Sequence, residues 1–387
     1  MNKTVPDKMD SNQAAPFLGL VKQGQSVWLD YIRRDLIQSG ELARLVAQDC
    51  VSGVTSNPAI FEKAITSGEE YLEAIRATAR AGLSAQAAYE AIAIDDIRAA
   101  ADVMKAVFEA TQGADGFVSL EVSPHLANDT EGTLAEGRRL WRSVDRPNLM
   151  IKVPGTPAGI SAVRRLIAEG ISVNVTLLFA RSAYEAAANA YLDGLEAWIA
   201  AKGDPRRVAS VASFFISRID SAVDALLEEK ISSAQAAEAG SLLALRGKVA
   251  IANAKLAYAF FEKQIAEPRW TKLAAAGTRP QRLLWASTGT KNPAYSDVLY
   301  VEELIGANTV NTMPPATLEA FRDHGQARSS LAENPARAGE VLKELDSAGI
   351  SLDAVTDQLL VDGVVLFADA FDKLLVALQA RLKTLSP

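Results

Sequence analysis

The sequence predicts an α/β fold, a single-domain (β/α)8 TIM barrel with extra helices, on three observations. Eight short strand-like runs alternate with helix-patterned stretches along the 387 residues, and helical crossovers between strands make a parallel sheet that closes on itself. In most of those runs every second residue is aliphatic, as in a strand covered by helices, while the opposite set carries polar side chains toward the carboxyl end. No low-complexity linker or short internal repeat interrupts the alternation. Residues 1–16 read as a loose N-terminal segment and residues 17–387 as the barrel with its C-terminal helices.

Taken in order, residues 16–25 are a lead-in and residues 26–31 the first strand, with Val27 and Leu29 on one face and Ser26, Trp28 and Asp30 on the other. Ser39 or Gly40 starts a helix through Asp49 on the spacing of Leu42, Leu45 and Val46. The second strand, residues 50–57, ends in T-S-N-P. Pro58 suits the first helical turn, so Asn57 is either an N-cap or a site residue. Residues 61–112 are alanine-rich and helical, enough for two or three helices. In the third strand, residues 117–123, Val118, Leu120 and Val122 oppose Phe117, Ser119 and Glu121; an inward glutamate is costly unless paired or functional. A helix over residues 132–145 leads to the fourth strand, N-L-M-I-K-V-P-G-T at residues 148–156, which turns Met150 and Lys152 away from Leu149, Ile151 and Val153. After a helix over residues 159–170, residues 171–179 give the clearest alternation, with Val173, Val175 and Leu177 against Ser172, Asn174 and Thr176. Residues 181–202 are helical, and the sixth strand, residues 208–215, delivers Ser213. A long helical region over residues 217–276 precedes the seventh and eighth strands, residues 282–287 and 309–313. From Pro315 onward the chain is helical. Its amphipathic last stretch, residues 364–385, either covers the barrel mouth or serves a dimer, so monomer and homodimer both stay open.

Composition bounds the function. A hydrophobic content of 49% with 22% charged residues is that of a soluble globular protein, and a net charge of −7 gives no basic field for nucleic acid or a membrane surface. Binding of an anionic substrate must then rely on local cations. Cys50 is the only cysteine, which rules out an intrachain disulfide. The start has no secretory pattern and no spanning run, so a cytoplasmic enzyme or binding protein is expected. His125 and His324 are the only histidines, which disfavours His-rich metal sites and Ser-His-Asp triads and leaves carboxylate-bound magnesium open.

In such a barrel the chemistry sits at the carboxyl ends of the strands, where Asp30, Asn57, Glu121, Lys152, Thr176, Ser213 and Ser287 all fall. Alone, each has a plainer reading: Lys152 as an ion-pair residue with Glu121 or Asp30, Asp30 as a cap, Thr176 and Ser213 as ordinary strand residues. Together they surround one amine. With an unperturbed pKa of about 10.4, roughly one lysine in 2,500 is neutral at pH 7, so a pocket with no obligate neutralising partner must favour the amine by desolvation. With no cofactor motif beside it, a nucleophilic amine indicates a Schiff base with a carbonyl substrate, whose iminium draws electrons from an adjacent carbon–carbon bond. Asp30 and Glu121 divide the base and acid tasks, Thr176 holds a relay water, and Asn57 and Asn174 bond the flanking hydroxyls. Arg218 and Lys291, near the ends of the sixth and seventh strands, are either solvated charges or phosphate ligands. The P-G-T-P-A-G turn after Lys152 is assigned no ligand.

Six motifs carry a resemblance: V-S-G-V-T-S-N-P-A-I-F (residues 51–61), L-E-V-S-P (120–124), I-K-V-P-G-T (151–156), N-V-T-L-L-F (174–179), S-F-F-I-S-R-I-D (213–220) and W-A-S-T-G-T-K-N-P (285–293). In these the sequence resembles the transaldolases, in particular their longer bacterial branch. The resemblance implies a cofactor-free transferase of the non-oxidative pentose phosphate pathway. It would move a dihydroxyacetone unit between ketose phosphates (sedoheptulose 7-phosphate, fructose 6-phosphate) and aldose phosphates (glyceraldehyde 3-phosphate, erythrose 4-phosphate). By motif, Lys152 matches the Schiff-base lysine, Asp30 the general acid/base, and Glu121 with Thr176 the water-mediated relay. Asn57 and Asn174 match residues that hold the dihydroxyacetone unit, Phe215 lines the pocket, and Ser213, Arg218 and Ser287 match the phosphate end. The loop after the seventh strand departs from the pattern: Gly289 stands where some relatives have an arginine, and Lys291 is expected to substitute. The rival readings are an aldolase on the same scaffold and a non-catalytic sugar-phosphate sensor, which needs no buried amine.

Overall fold

The computed structural model describes residues 15–385. Its strands are β1 (Gln25–Asp30), β2 (Val51–Thr55), β3 (Phe117–Glu121), β4 (Leu149–Pro154), β5 (Val173–Leu178), β6 (Ser210–Phe215), β7 (Arg282–Ala286) and β8 (Thr309–Met313). They pair in parallel in chain order, and β8 closes on β1 to complete the barrel. The outward set, including Leu29, Val54, Val118, Leu120, Ile151, Val153, Val173 and Val175, is buried beneath the surrounding helices. Removing such side chains from water is the main source of the stability of this layer.

Local chemistry sets the element ends. Asn57 caps the helix Pro58–Ser67 by accepting from Ile60 N at 3.0 Å, with Pro58 in the first turn, so β2 stops at Thr55, short of the expected Asn57. The helix expected from Ser39 or Gly40 through Asp49 is Glu41–Gln48, with Gly40 at φ 82° as its N-cap, and a short helix, Arg34–Gln38, which the spacing did not predict, precedes it. The alanine-rich region holds Pro58–Ser67, Leu72–Arg80 and Ala85–Ala110, and the region before β7 holds Ser217–Ser233, Ala236–Leu243, Val249–Ala266 and Pro268–Ala275. Ala15 and Pro16, expected at the end of a loose segment, open the helix Ala15–Lys22; the rest of that segment lies outside the described residues.

One face assignment is overturned. Leu177 adopts φ 60° within β5, and the register with β6 shifts between Val175 and Leu178. This bulge takes Leu177 out of the Val173–Val175 row and sets its methyls against Gly363, close enough that a Cβ there would meet Leu177 Cδ2 at 3.1 Å. A non-glycine residue in that region costs about 1–3 kcal/mol, and such bulges re-aim side chains beside active sites.

Gly363 belongs to the last helix, Leu352–Leu385, which crosses the mouth and packs on Pro58–Ser67, Leu72–Arg80, Ala85–Ala110 and Ser217–Ser233. Of the two roles the sequence left open for this helix, covering the mouth is therefore observed. Its inward residues Phe367, Phe371, Leu374 and Leu378 are buried, whereas Val361, Val365 and Val376 remain exposed.

Candidate functional site

Parallel register places the polar residues side by side. Glu121 pairs with Lys152 and Lys152 with Asn174 across β3, β4 and β5, while Asp30 pairs with Thr55 across β1 and β2. Strand alternation then turns these side chains toward the barrel axis at its carboxyl end. Above them is a cavity of about 490 Å3, within the range of small-molecule sites. Its lining includes Asp30, Asn57, Lys152, Thr176, Ser213 and Phe215, with Arg218, Ser287 and Lys291 toward the rim.

Lys152 Nζ donates to the Ser56 carbonyl at 2.9 Å and lies 3.3 Å from Glu121 Oε2. The expectation of an amine with no neutralising partner is therefore corrected: a buried carboxylate stands beside it. Burial pushes the Glu121 carboxyl up to about 7, opposed by the neighbouring Lys152 charge, so this carboxylate is a ready proton acceptor. Neither Glu121 oxygen has a hydrogen-bond partner among the described residues, and Thr176 Oγ1 is likewise buried without one. Glu121 lies behind the wall of the main cavity and borders a second chamber of about 20 Å3, room for one water.

Across the cavity Asp30 accepts from Thr55 Oγ1 at 2.7 Å, and Thr55 in turn shares a hydrogen bond of 2.7 Å with Thr312. Burial raises the Asp30 pKa, while Lys152, Thr55, Arg218 and Lys291 pull it down. Asn174 lies under the floor: its Nδ2 donates to Ser119 Oγ at 3.1 Å and its Oδ1 accepts from Ser213 Oγ at 2.7 Å. Asn57 is both cap and cavity wall, because its Oδ1 caps the helix while its Nδ2 stays free of that bond. At the rim, Arg218 Cζ sits 5.4 Å over the Phe215 ring in the first turn of Ser217–Ser233, and burial lowers its pKa. Ser287 takes φ 56°, and its Oγ shares a 2.9 Å hydrogen bond with Ser217.

The sequence reading missed Thr55, which lay within a quoted motif and on the inward face. It also missed Phe367, whose ring lies 5.7 Å from Lys152 Nζ and which no local pattern marks. Lys373, Asp369 and Glu62 complete the mouth and went unnoticed for the same reason.

Fold and site together define a (β/α)8 enzyme with a buried lysine–glutamate pair at the floor of a cation-rimmed mouth. A family model described as Transaldolase/Fructose-6-phosphate aldolase matches residues 27–378. A transaldolase of Trichodesmium erythraeum is 48% identical over 367 residues, covering 94% of this chain and 97% of the relative. One of Parafrankia is 50% identical over 368 residues, covering 95% and 98%, and the transaldolase 2 of a Nostoc species is 46% identical over 374 residues, covering 96% and 98%. The chain belongs to the transaldolase and fructose-6-phosphate aldolase family. Among the described residues no helix is long and apolar enough to cross a membrane.

Proposed function

We propose that the protein is a transaldolase that carries a dihydroxyacetone unit from sedoheptulose 7-phosphate or fructose 6-phosphate to glyceraldehyde 3-phosphate or erythrose 4-phosphate. On this reading it works in the cytoplasm, in the non-oxidative pentose phosphate pathway, and needs no cofactor. The observation that carries the reading is Lys152 held between two carboxyl groups of different environment, Glu121 at 3.3 Å and Asp30 across the cavity. Groups whose surroundings set their proton affinities apart can act as separate acid and base.

The Lys152 ammonium gives a proton to Glu121 and its nitrogen attacks the ketose carbonyl, forming a C–N bond as the carbonyl π electrons move to oxygen, which takes the proton that the attacking nitrogen then sheds. Glu121 returns its proton, through a water held at Thr176, to the carbinolamine hydroxyl, which leaves as water as C=N forms. Asp30 then takes the proton from the hydroxyl on the far carbon of the bond to be broken, so that this carbon becomes the aldehyde of the departing aldose. That bond's electrons move into the iminium, and the aldose departs. The three-carbon enamine, held by Asn57 and by the second N–H of Asn174, attacks the incoming aldose by the reverse sequence. Asp30 reprotonates the new alkoxide, and one water is consumed in releasing the ketose. Phe367 over the lysine and the last helix across the mouth shield the enamine from bulk water, which favours transfer over protonation and release. Arg218, Ser213, Ser287 and Lys291 form the phosphate end, with the start of Ser217–Ser233 adding its N-terminal dipole.

The test is an assay of fructose 6-phosphate consumption with and without erythrose 4-phosphate. A transaldolase needs the acceptor and yields sedoheptulose 7-phosphate; equal turnover without acceptor, with free dihydroxyacetone accumulating, would establish the aldolase instead.

A further inference from the structure

The loop between β7 and β8 carries Lys291 and is fastened to the helix Ser217–Ser233 at two points. At its start Ser217 N donates to the Ser287 carbonyl at 3.1 Å and the two serine hydroxyls meet at 2.9 Å. At its far side Tyr295 donates its hydroxyl to Asp224 Oδ2 at 2.6 Å. Ser217 and Asp224 are seven residues apart on one helix, about 10 Å along its axis, so the segment from Ser287 to Tyr295 bridges a fixed distance. Between these anchors lie Gly289, Lys291 and Pro293, with Lys291 facing the cavity and exposed. Arg218 occupies the same helix next to the first anchor.

The Asp224 carboxylate is held for this task. Its Oδ1 accepts from Gly247 N at 3.2 Å, which leaves Oδ2 to the tyrosine. Gly247 has φ 67°, and a Cβ there would lie 2.9 Å from Tyr295 Cζ, so the ring packs flush on a backbone that admits no side chain. One helical turn earlier Asp220 makes a parallel arrangement, accepting from Ala250 N at 2.8 Å and from Tyr300 at 2.9 Å. Tyr300 lies past the Ser287–Tyr295 segment, in the helix Leu299–Glu302, so this second bond fixes that helix and not the segment carrying Lys291.

We propose that the Tyr295–Asp224 hydrogen bond latches the loop after β7 to the helix carrying Arg218, and so sets the spacing of Lys291 and Arg218 that selects phosphorylated over unphosphorylated sugars. The inference rests on the reading of these two cations as the phosphate end. Tyr295 touches neither substrate nor the reacting atoms; it is a positioning residue, and its effect passes through Lys291.

The experiment measures kcat and KM of the full-length enzyme with fructose 6-phosphate and with fructose as donors, for Tyr295→Phe, Lys291→Ala, the double variant and Tyr300→Phe. Tyr295→Phe raises KM for fructose 6-phosphate about three- to ten-fold, the loss of one hydrogen bond, and leaves kcat and the fructose reaction unchanged. The double variant behaves as Lys291→Ala alone, because the two residues act as one unit. Tyr300→Phe lowers the melting temperature without changing the ratio of the two KM values. Additive effects in the double variant, equal effects of Tyr295→Phe on both donors, or a ratio change from Tyr300→Phe would each overturn the latch. If Lys291→Ala raises KM for fructose 6-phosphate and Tyr295→Phe does not, only the latch falls. If Lys291→Ala has no effect, the assignment of Lys291 to phosphate falls with it.

Discussion

At the amino-terminal end of the barrel the Asp115 carboxylate accepts from Trp28 Nε1 at 2.7 Å, Ser52 Oγ at 3.0 Å, Gly116 N at 3.2 Å and the Ser26 hydroxyl, and it pairs with Arg282 at 3.4 Å. At the carboxyl-terminal end Glu121 is at least as buried, 4% side-chain exposure against 10%, yet among the described residues no donor is hydrogen-bonded to it, and its cation stands 3.3 Å away. Both carboxylates are buried in the same barrel. At one end the carboxylate oxygens are engaged by a set of donors; at the other, partners are withheld and the proton stays free to move. Buried polar groups that are fully satisfied make structure, and those left poised make chemistry.

The comparison breaks first at Lys152. Lys152→Met is expected to lower kcat about a thousand-fold or more while the protein folds and melts cooperatively, since the nucleophile is lost and an apolar chain of similar length fills its place. Circular dichroism beside a turnover assay separates the two effects. Glu121→Gln keeps the shape and removes the proton acceptor; kcat is expected to fall about 100- to 10,000-fold with KM little changed. At the other end the signature reverses. Asp115→Ala strands the Arg282 charge and is expected to cost about 3–5 kcal/mol in urea unfolding, with kcat of the folded enzyme preserved.

A smaller effect sharpens the contrast. Asp220 is satisfied by Ala250 N and Tyr300, but burial raises its carboxyl from 3.8 to about 7. A group whose folded pKa lies above its unfolded value contributes stability that is fully present below the unfolded value and lost as pH rises through the folded one. Relative to Asp220→Asn, the wild type should therefore lose stability between about pH 4 and pH 7, by a few kcal/mol at most. Paired urea melts across that range check the sign; an identical pH dependence in both proteins would contradict it.

The sequence made the barrel legible because period-two alternation is local: Val173 and Val175 against Asn174 and Thr176 suffice to assign both faces. The floor of the site followed from the same rule, since Asp30, Glu121, Lys152 and Asn174 are inward residues of β1, β3, β4 and β5. The bulge at Leu177 was not legible, because the side chain that fills the re-aimed space meets Gly363, far along the chain. Phe367 over Lys152 and the Tyr295–Asp224 bond escaped for the same reason. Tertiary packing chose those partners, and no spacing within one segment records it. In the sequence the ion-pair and free-amine readings of Lys152 stand as alternatives; the structure joins them, a Glu121–Lys152 pair without saturating hydrogen bonds.

The central claim is that the Lys152 nitrogen bonds covalently to the ketose carbon. Borohydride reduction during turnover with fructose 6-phosphate, followed by proteolysis and mass spectrometry, should place a single reduced three- or six-carbon adduct on the peptide containing Lys152 and abolish activity in proportion to labelling. An adduct on another lysine, or unmodified Lys152 in an enzyme that continues to turn over, would contradict the account.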